Sequence, residues 1–240
     1  MPPRIRSVTE SQTRFVGQAR GVCLVGIPDA QGVYQLFLND EIVYIGKTDG
    51  EAGLRQRLSR HCYTVLHRKN LITDEVTFKA IRVFVFTAID LETQLIRHYS
   101  KPKVAWNNSG FGSNDPGRNR DDTALNSQSF DALYPIDIDC QLPPFTSSAV
   151  GTVASLLSQL RESVPYTFRY ESAGSSGRRS HADLEGAIAI TPQSPSTVRQ
   201  LLVTAVQSLP TGWQATLLAG RIILYKERKD YAHGEIIMRS

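Results

Sequence analysis

The spacing of apolar residues changes several times along the chain, and each change predicts an element. Gly32-Val33-Tyr34-Gln35-Leu36-Phe37-Leu38 is rich in strand formers, Asn39-Asp40 is a turn dipeptide, and Ile42-Val43-Tyr44-Ile45 is a second strand-like run ended by Gly46. Two such runs about a short polar turn predict a β-hairpin. From Glu51 to Leu66 the period becomes helical. Leu54, Leu58, Cys62 and Val65 recur on one side, while Arg55, Arg57, Arg60, His61, His67 and Arg68 decorate the rest. An amphipathic helix with a basic face is expected. Val76 to Ile89 reads as a third, mostly buried strand. Asp90 then suits the N-cap of a helix running to about Ser100, and Pro102 blocks its continuation.

Polar spacing dominates next. Lys101 to Asp122 is a long loop with four asparagines and three glycines, and Phe130 to Pro144 reads as a linker with apolar anchors. The last hundred residues regain periodicity. Helices are expected at 147–163 and 196–209, and strands at 166–171, 187–190, 214–218 and 221–225. The order is helix, strand, strand, helix, strand, strand. The fold class implied is α+β: a three-stranded antiparallel sheet flanked by helices, then a small α+β domain with one four-stranded sheet. The divisions are a basic N-terminal arm over 1–25, a first domain with its loop and linker over 26–144, and a second domain over 145–240.

Composition narrows the class. A hydrophobic share of 41% and a charged share of 21% match ordinary globular usage, so a packed core is expected. The net charge of +4 is compatible with a polyanionic partner without requiring one. Cys23, Cys62 and Cys140 are too scattered for a disulfide framework or a zinc site, and the expected compartment is the cytoplasm. The first twenty residues lack the apolar core of a signal peptide. The most apolar stretch, 80–89, is too short to cross a bilayer, so no membrane association is expected.

The polar residues of the first half form the chemical candidates: Tyr34, Tyr44, Lys47, Arg57, His61, Glu92 and Asn107. Taken singly, each has a plainer reading. The tyrosines suit sheet packing, Arg57 and His61 a solvated helix face, Glu92 a first helical turn placed for the macrodipole, and Asn107 a loop turn. Taken together they resemble a known set. Gly32-Val33-Tyr34, followed after nine residues by Tyr44-Ile45-Gly46, resembles the signature of the GIY-YIG nuclease superfamily. Arg57 to His61, Glu92 in Leu91-Glu92-Thr93, and Asn107 in Ala105-Trp106-Asn107 are similar to its downstream motifs in order and spacing. Trp106-Asn107-Asn108-Ser109-Gly110-Phe111-Gly112 and the arginine-plus-histidine pair are similar to the restriction-endonuclease branch. The likeness spans roughly Gly32 to Arg120. Val33 departs from the usual isoleucine, and the gap between the tripeptides is short.

That resemblance implies a GIY-YIG domain hydrolysing phosphodiester bonds in double-stranded DNA. Tyr34 would be the general base or position the water, Arg57 would stabilise the phosphate, and Glu92 would bind Mg²⁺ or Mn²⁺. Tyr44, Lys47 and His61 would assist proton transfer or grip the phosphate, and Asn107 would support the others. Phosphate and base contacts are expected from Arg55, Arg60, Arg68, Asn108, Arg118 and Arg120. A site-specific restriction or phage-defence enzyme, a homodimer if its target is palindromic, is one expectation. A nuclease subunit of a defence, repair or mobile-element system, with residues 145–240 binding a protein partner, is another. A DNA-binding protein with an inactive nuclease fold is a third.

Overall fold

A computed structural model gives the fold. It describes residues 5–7, 13–14, 24, 26–48, 52–83, 88–99, 104–112, 115–143, 150–173, 179–190 and 195–240. The chain divides into two compact units. The first comprises residues 1–113 and 128–133; the second comprises 114–127 and 134–240.

In the first unit, β1 (Ile5–Ser7) and β2 (Thr13–Arg14) both pair antiparallel with β5 (Val76–Val83). Within the described residues, the expected basic N-terminal arm thus contributes two short strands; the rest of 1–25, apart from Leu24, lies outside them. β3 (Gly32–Leu38) pairs with β5 on one side and β4 (Glu41–Lys47) on the other, so the three expected strands are antiparallel neighbours with β4 at the edge. Asn39 and Asp40 have φ of 50° and 66°, the left-handed pair that a two-residue hairpin turn needs and that Asn and Asp tolerate. The ladder shifts register between Leu36 and Phe37, leaving Val43 as an unpaired extra residue.

Alternation along these strands sorts the side chains into two faces. Val33, Ile45 and Val83 build one core, against which Leu95, Ile96 and Tyr99 of α2 (Ala88–Tyr99) pack. Tyr34, Leu36 and Tyr44 take the alternate positions and face α1 (Leu54–Leu66). Leu54, Leu58, Cys62 and Val65 of α1 are fully buried, as their spacing predicts, and each buried leucine stabilises by about 1.5–3 kcal/mol. The third strand is described to Val83 and 84–87 lie outside the described residues; Ala88 and Ile89, expected in that strand, instead open α2, which starts two residues before Asp90. α3 (Phe130–Leu133) returns to this unit, with Arg68 donating to Asp131 at 2.6 Å.

The second unit contains β6 (Gln141–Leu142), β7 (Val150–Thr152), α4 (Val153–Ser163), β8 (Thr167–Tyr170), β9 (Ser172–Ala173), β10 (Arg179–Ser180), α5 (Ala182–Gly186), β11 (Ile188–Ile190), β12 (Ser196–Thr197), α6 (Val198–Gln207), β13 (Gln214–Leu218), β14 (Arg221–Tyr225) and β15 (Glu235–Arg239). Its four-stranded sheet runs β15-β13-β14-β8, with β14 and β8 parallel. Leu156, Leu157 and Leu160 of α4 and Leu201, Leu202, Ala205 and Val206 of α6 share its core with Trp213, Ala215, Ile222 and Leu224. Two expectations are corrected. The segment 187–190 does not join this sheet: β11 pairs with β7, and the fourth place goes to β15, a half-buried edge strand whose short apolar run lies between charged ends. The helix expected from 147 starts at Val153, because 150–152 are extended and the Thr152 side chain caps the first turn.

The domain limits also move. Residues 114–127 of the polar loop belong to the second unit, where Asp121, 1% exposed, accepts from Arg221 at 2.7 Å and from Arg169. Lys229 reaches Asp122 at 2.5 Å. A buried carboxylate needs such partners, and both guanidiniums come from strands of the second unit. Residues 134–143 of the expected linker belong to that unit too, through Ile136 and Ile138 in its core and through β6, which pairs with β12.

Candidate active site

The hairpin and α1 together build a small buried polar cluster. Tyr34 is opposite Gly46, and Tyr44 opposite Leu36, so the two phenols are diagonal neighbours on one face with ring centroids 6.1 Å apart. Gly46 makes room for them. A Cβ there would collide with the Tyr34 phenol and lie 2.8 Å from the Tyr44 ring, so the glycine serves a close approach. Thr48 closes the strand end: its hydroxyl accepts from the Gly32 amide at 2.7 Å.

From α1, His61 projects onto both tyrosines. Its Nε2 lies 2.7 Å from the Tyr34 hydroxyl. Phe111 stacks on the imidazole at 4.8 Å and 24° and meets Tyr44 edge-on at 5.0 Å. Trp106 and Phe130 back Phe111 at 4.9 and 4.8 Å. This aromatic wall dries the site. Burial, then the charges of Arg57 and Arg60, depress His61 to about 3, so the imidazole is neutral at ordinary pH. Burial also pushes the Tyr34 phenol far above its usual value; Tyr44 adds to that and Arg57 opposes it. Tyr44 is raised by burial as well, with Arg57 opposing and Glu92 adding. With both tyrosines protonated and His61 neutral, the arrangement that satisfies the short contact has the Tyr34 hydroxyl donating to Nε2.

Arg57 is half-buried and acts electrostatically on both phenols; its Nε is buried without an acceptor. Lys47 occupies the alternate strand register and pairs with Glu92 of α2 at 3.3 Å, the carboxylate being 21% exposed. The pair stands on the sheet face that packs against α2, and the charge of Glu92 is the smallest of the influences that raise or lower the Tyr44 phenol. Asn107 does not enter the cluster. Its side chain spans the edge of β4, accepting from the Ile45 amide at 2.8 Å and donating to the Ile45 carbonyl at 2.7 Å. It stands in for a neighbouring strand at the residue between Tyr44, a catalytic candidate, and Gly46.

The expected DNA contacts divide. Arg55 and Arg60 are exposed on α1, with Arg55 also donating to the Ile27 carbonyl. Arg68 turns inward instead, paired with Asp131 and lying 4.9 Å over the Phe130 ring. The Asn108 side chain lies outside the described residues. Arg118 and Arg120 belong to the second unit; Arg118 pairs with Glu171 and Glu227, and Arg120 is exposed. Sequence reasoning missed the roles of Thr48 and Phe111. Phe111 carries a legible signal, an aromatic residue held between two glycines in a polar loop, whereas Thr48 carries none.

As a donor set, the site offers one carboxylate. Among the described residues, no group of three or more His, Cys, Asp and Glu side chains gathers to hold a metal. A single oxygen donor on a rim suits Mg²⁺ or Mn²⁺, which retain several waters, and does not suit zinc. No helix among the described residues is long and apolar enough to cross a membrane. No known protein family matches the chain when compared by family models, and no curated protein matches it.

Proposed function

We propose that the first unit is a metal-dependent DNA endonuclease of the GIY-YIG type. The observation that carries this reading is the buried 2.7 Å contact between the Tyr34 hydroxyl and His61 Nε2, in a cluster where Arg57 acts on both phenols and Glu92 on Tyr44. Buried phenols and a neutral imidazole can move a proton from water, a guanidinium can stabilise charge on phosphate, and a carboxylate can hold a metal, the tasks that phosphodiester hydrolysis sets.

The protonation states fix the order of proton movements. Tyr34 holds its proton at neutral pH, so it accepts one from water only by passing its own on. His61 Nε2 is the acceptor within reach. As the water oxygen bonds to phosphorus, its proton moves to the Tyr34 oxygen and the phenol proton moves to Nε2. The phosphorus bond to the leaving sugar oxygen breaks, and that oxygen takes a proton from solvent. His61 later returns its proton to solvent. Burial and the charges of Arg57 and Arg60 oppose the imidazolium; the negative charge of a bound phosphate offsets that opposition. Arg57 presents a planar fork to phosphate oxygens, and its unmet Nε donor is one that such an oxygen satisfies. Mg²⁺ or Mn²⁺ held by Glu92 supplies Lewis-acid stabilisation of the phosphate charge. Lys47, 3.3 Å away, holds that carboxylate oriented until then. Double-stranded DNA is the proposed substrate, and a twofold-symmetric target would call for two copies of the chain.

The test is cleavage of plasmid and duplex DNA by the purified full chain with Mg²⁺ or Mn²⁺. Discrete products, lost in Glu92→Gln, are expected. Cleavage that persists in that variant overturns the assignment of Glu92. A wild-type protein that binds DNA and never cuts it, with either metal, overturns the nuclease reading.

A further inference from the structure

We propose that the second unit carries a phosphate-binding cleft of its own. A cleft of about 250 Å³ is lined there by Arg118, Arg161 and Arg169, with Tyr170, Tyr225 and Glu171 among its walls. Three guanidiniums and one carboxylate line it, and two of the guanidiniums are also paired with Glu227, Asp115 and Asp121. They arrive from three elements: Arg118 from the loop 115–122, Arg161 from the last turn of α4, and Arg169 from β8.

Two of the three are held in place. Arg118 lies 4.0 Å over the Tyr225 ring and pairs with Glu171 at 3.0 Å and Glu227 at 3.5 Å. Arg169 bonds the buried Asp121 and lies 3.4 Å from Asp115. These contacts fix the guanidinium planes without using every donor, since each group carries five N–H bonds. Arg118 remains 53% exposed, and Arg169 Nη1 is buried with no acceptor. Arg161 differs from both. It is exposed, it leans over the Tyr170 ring at 5.3 Å, and it has no carboxylate partner among the described residues. An uncompensated cation lining the same cleft as two pre-oriented ones makes a candidate anion site. Forks converging from three elements suit a tetrahedral group with several oxygens better than a planar carboxylate with two. The ligand class is therefore a phosphate group, from a nucleic-acid backbone or from a free phosphate-bearing molecule. The backbone source rests on the nuclease reading of the first unit; the chemistry of the cleft does not.

The experiment compares the full-length protein with Arg161→Ala and Arg161→Lys, an exposed position whose change leaves the core intact. DNA binding is measured without divalent metal across a salt series. Loss of one phosphate contact should weaken binding roughly tenfold and lower the slope of log affinity against log salt by about 0.9. Arg161→Lys should keep the slope and recover part of the affinity. In parallel, thermal unfolding is followed with inorganic phosphate against chloride at equal ionic strength. A phosphate-dependent rise in midpoint, lost in Arg161→Ala, supports the cleft even if DNA affinity is unmoved, and then assigns it to free phosphate. Should Arg161→Ala change neither the salt slope nor the phosphate response, the inference is overturned. A wild type that responds to phosphate but neither binds nor cuts DNA would leave the cleft standing and sink the nuclease reading instead.

Discussion

His61 gives the sharpest quantitative consequence of the site. In an unfolded chain a histidine titrates near ~6.5; here burial and two arginines hold it at about 3. The folded state therefore refuses a proton that the unfolded chain takes up between those values. Stability must fall as pH drops through about 6.5 and be fully present above it. Going from pH 7 to pH 5 covers about 1.5 units below the unfolded value, at ~1.36 kcal/mol per unit, or roughly 2 kcal/mol lost through this one side chain. His61→Gln removes the titration while keeping a polar group beside Tyr34. The variant should be less stable at pH 7, having lost its stacking on Phe111, and the gap to wild type should close by roughly 2 kcal/mol at pH 5. The chain has two tryptophans, Trp106 in the first unit and Trp213 in the second. Fluorine NMR of the 5-fluorotryptophan protein during urea unfolding therefore reads the first unit by itself. If the gap is the same at both pH values, the imidazole is not held neutral by its surroundings, and the proposed proton relay loses its acceptor.

The same shift governs the kinetics. Because His61 is already neutral in the free protein, kcat/KM for cleavage should show no histidine inflection between pH 5 and 7; an acidic limb near pH 6.5 in the wild-type profile would contradict this. Arg57→Lys keeps the charge and loses the fork, so single-turnover cleavage should slow by about a hundredfold or more while DNA affinity changes little. An equal loss in affinity would make Arg57 a binding residue instead. Gly46→Ala forces a methyl group onto the Tyr34 phenol, and urea unfolding should report about 1–3 kcal/mol of destabilisation, together with loss of cleavage. An unchanged stability would mean that the strand is not packed against that ring.

Much of the first unit was legible because its signals are local. The hairpin follows from a turn dipeptide that tolerates positive φ, and α1 from four apolar positions at helical spacing, all fully buried. The candidate residues were legible through resemblance and spacing, yet their protonation states were not. Those depend on Phe111, Trp106 and Phe130, which lie about fifty to seventy residues beyond His61 in sequence and dry the imidazole only after the chain has folded. Asn107 shows the converse. Its place in a motif was visible, but its work, spanning the Ile45 amide and carbonyl, is set by the unpaired edge of β4, which no local pattern announces.

The unit boundaries show how electrostatics overrides composition. Residues 114–127 are polar, rich in turn formers and continuous with the loop of the first unit, so composition assigns them there. Asp121 decides otherwise. A carboxylate 1% exposed is costly to bury unless ionic partners come with it, and its partners Arg169 and Arg221 sit on β8 and β14. Without Asp121, the largely buried guanidiniums of Arg169 and Arg221 would lose the carboxylate they share, and breaking a buried pair by removing one partner costs about 3–5 kcal/mol. One aspartate among neighbours of similar polarity is invisible to periodicity, and two arginines 48 and 100 residues downstream complete its environment. The loop is thus drawn into the second unit, where Arg118, three residues before Asp121, is delivered to the Tyr225 ring and the arginine-lined cleft.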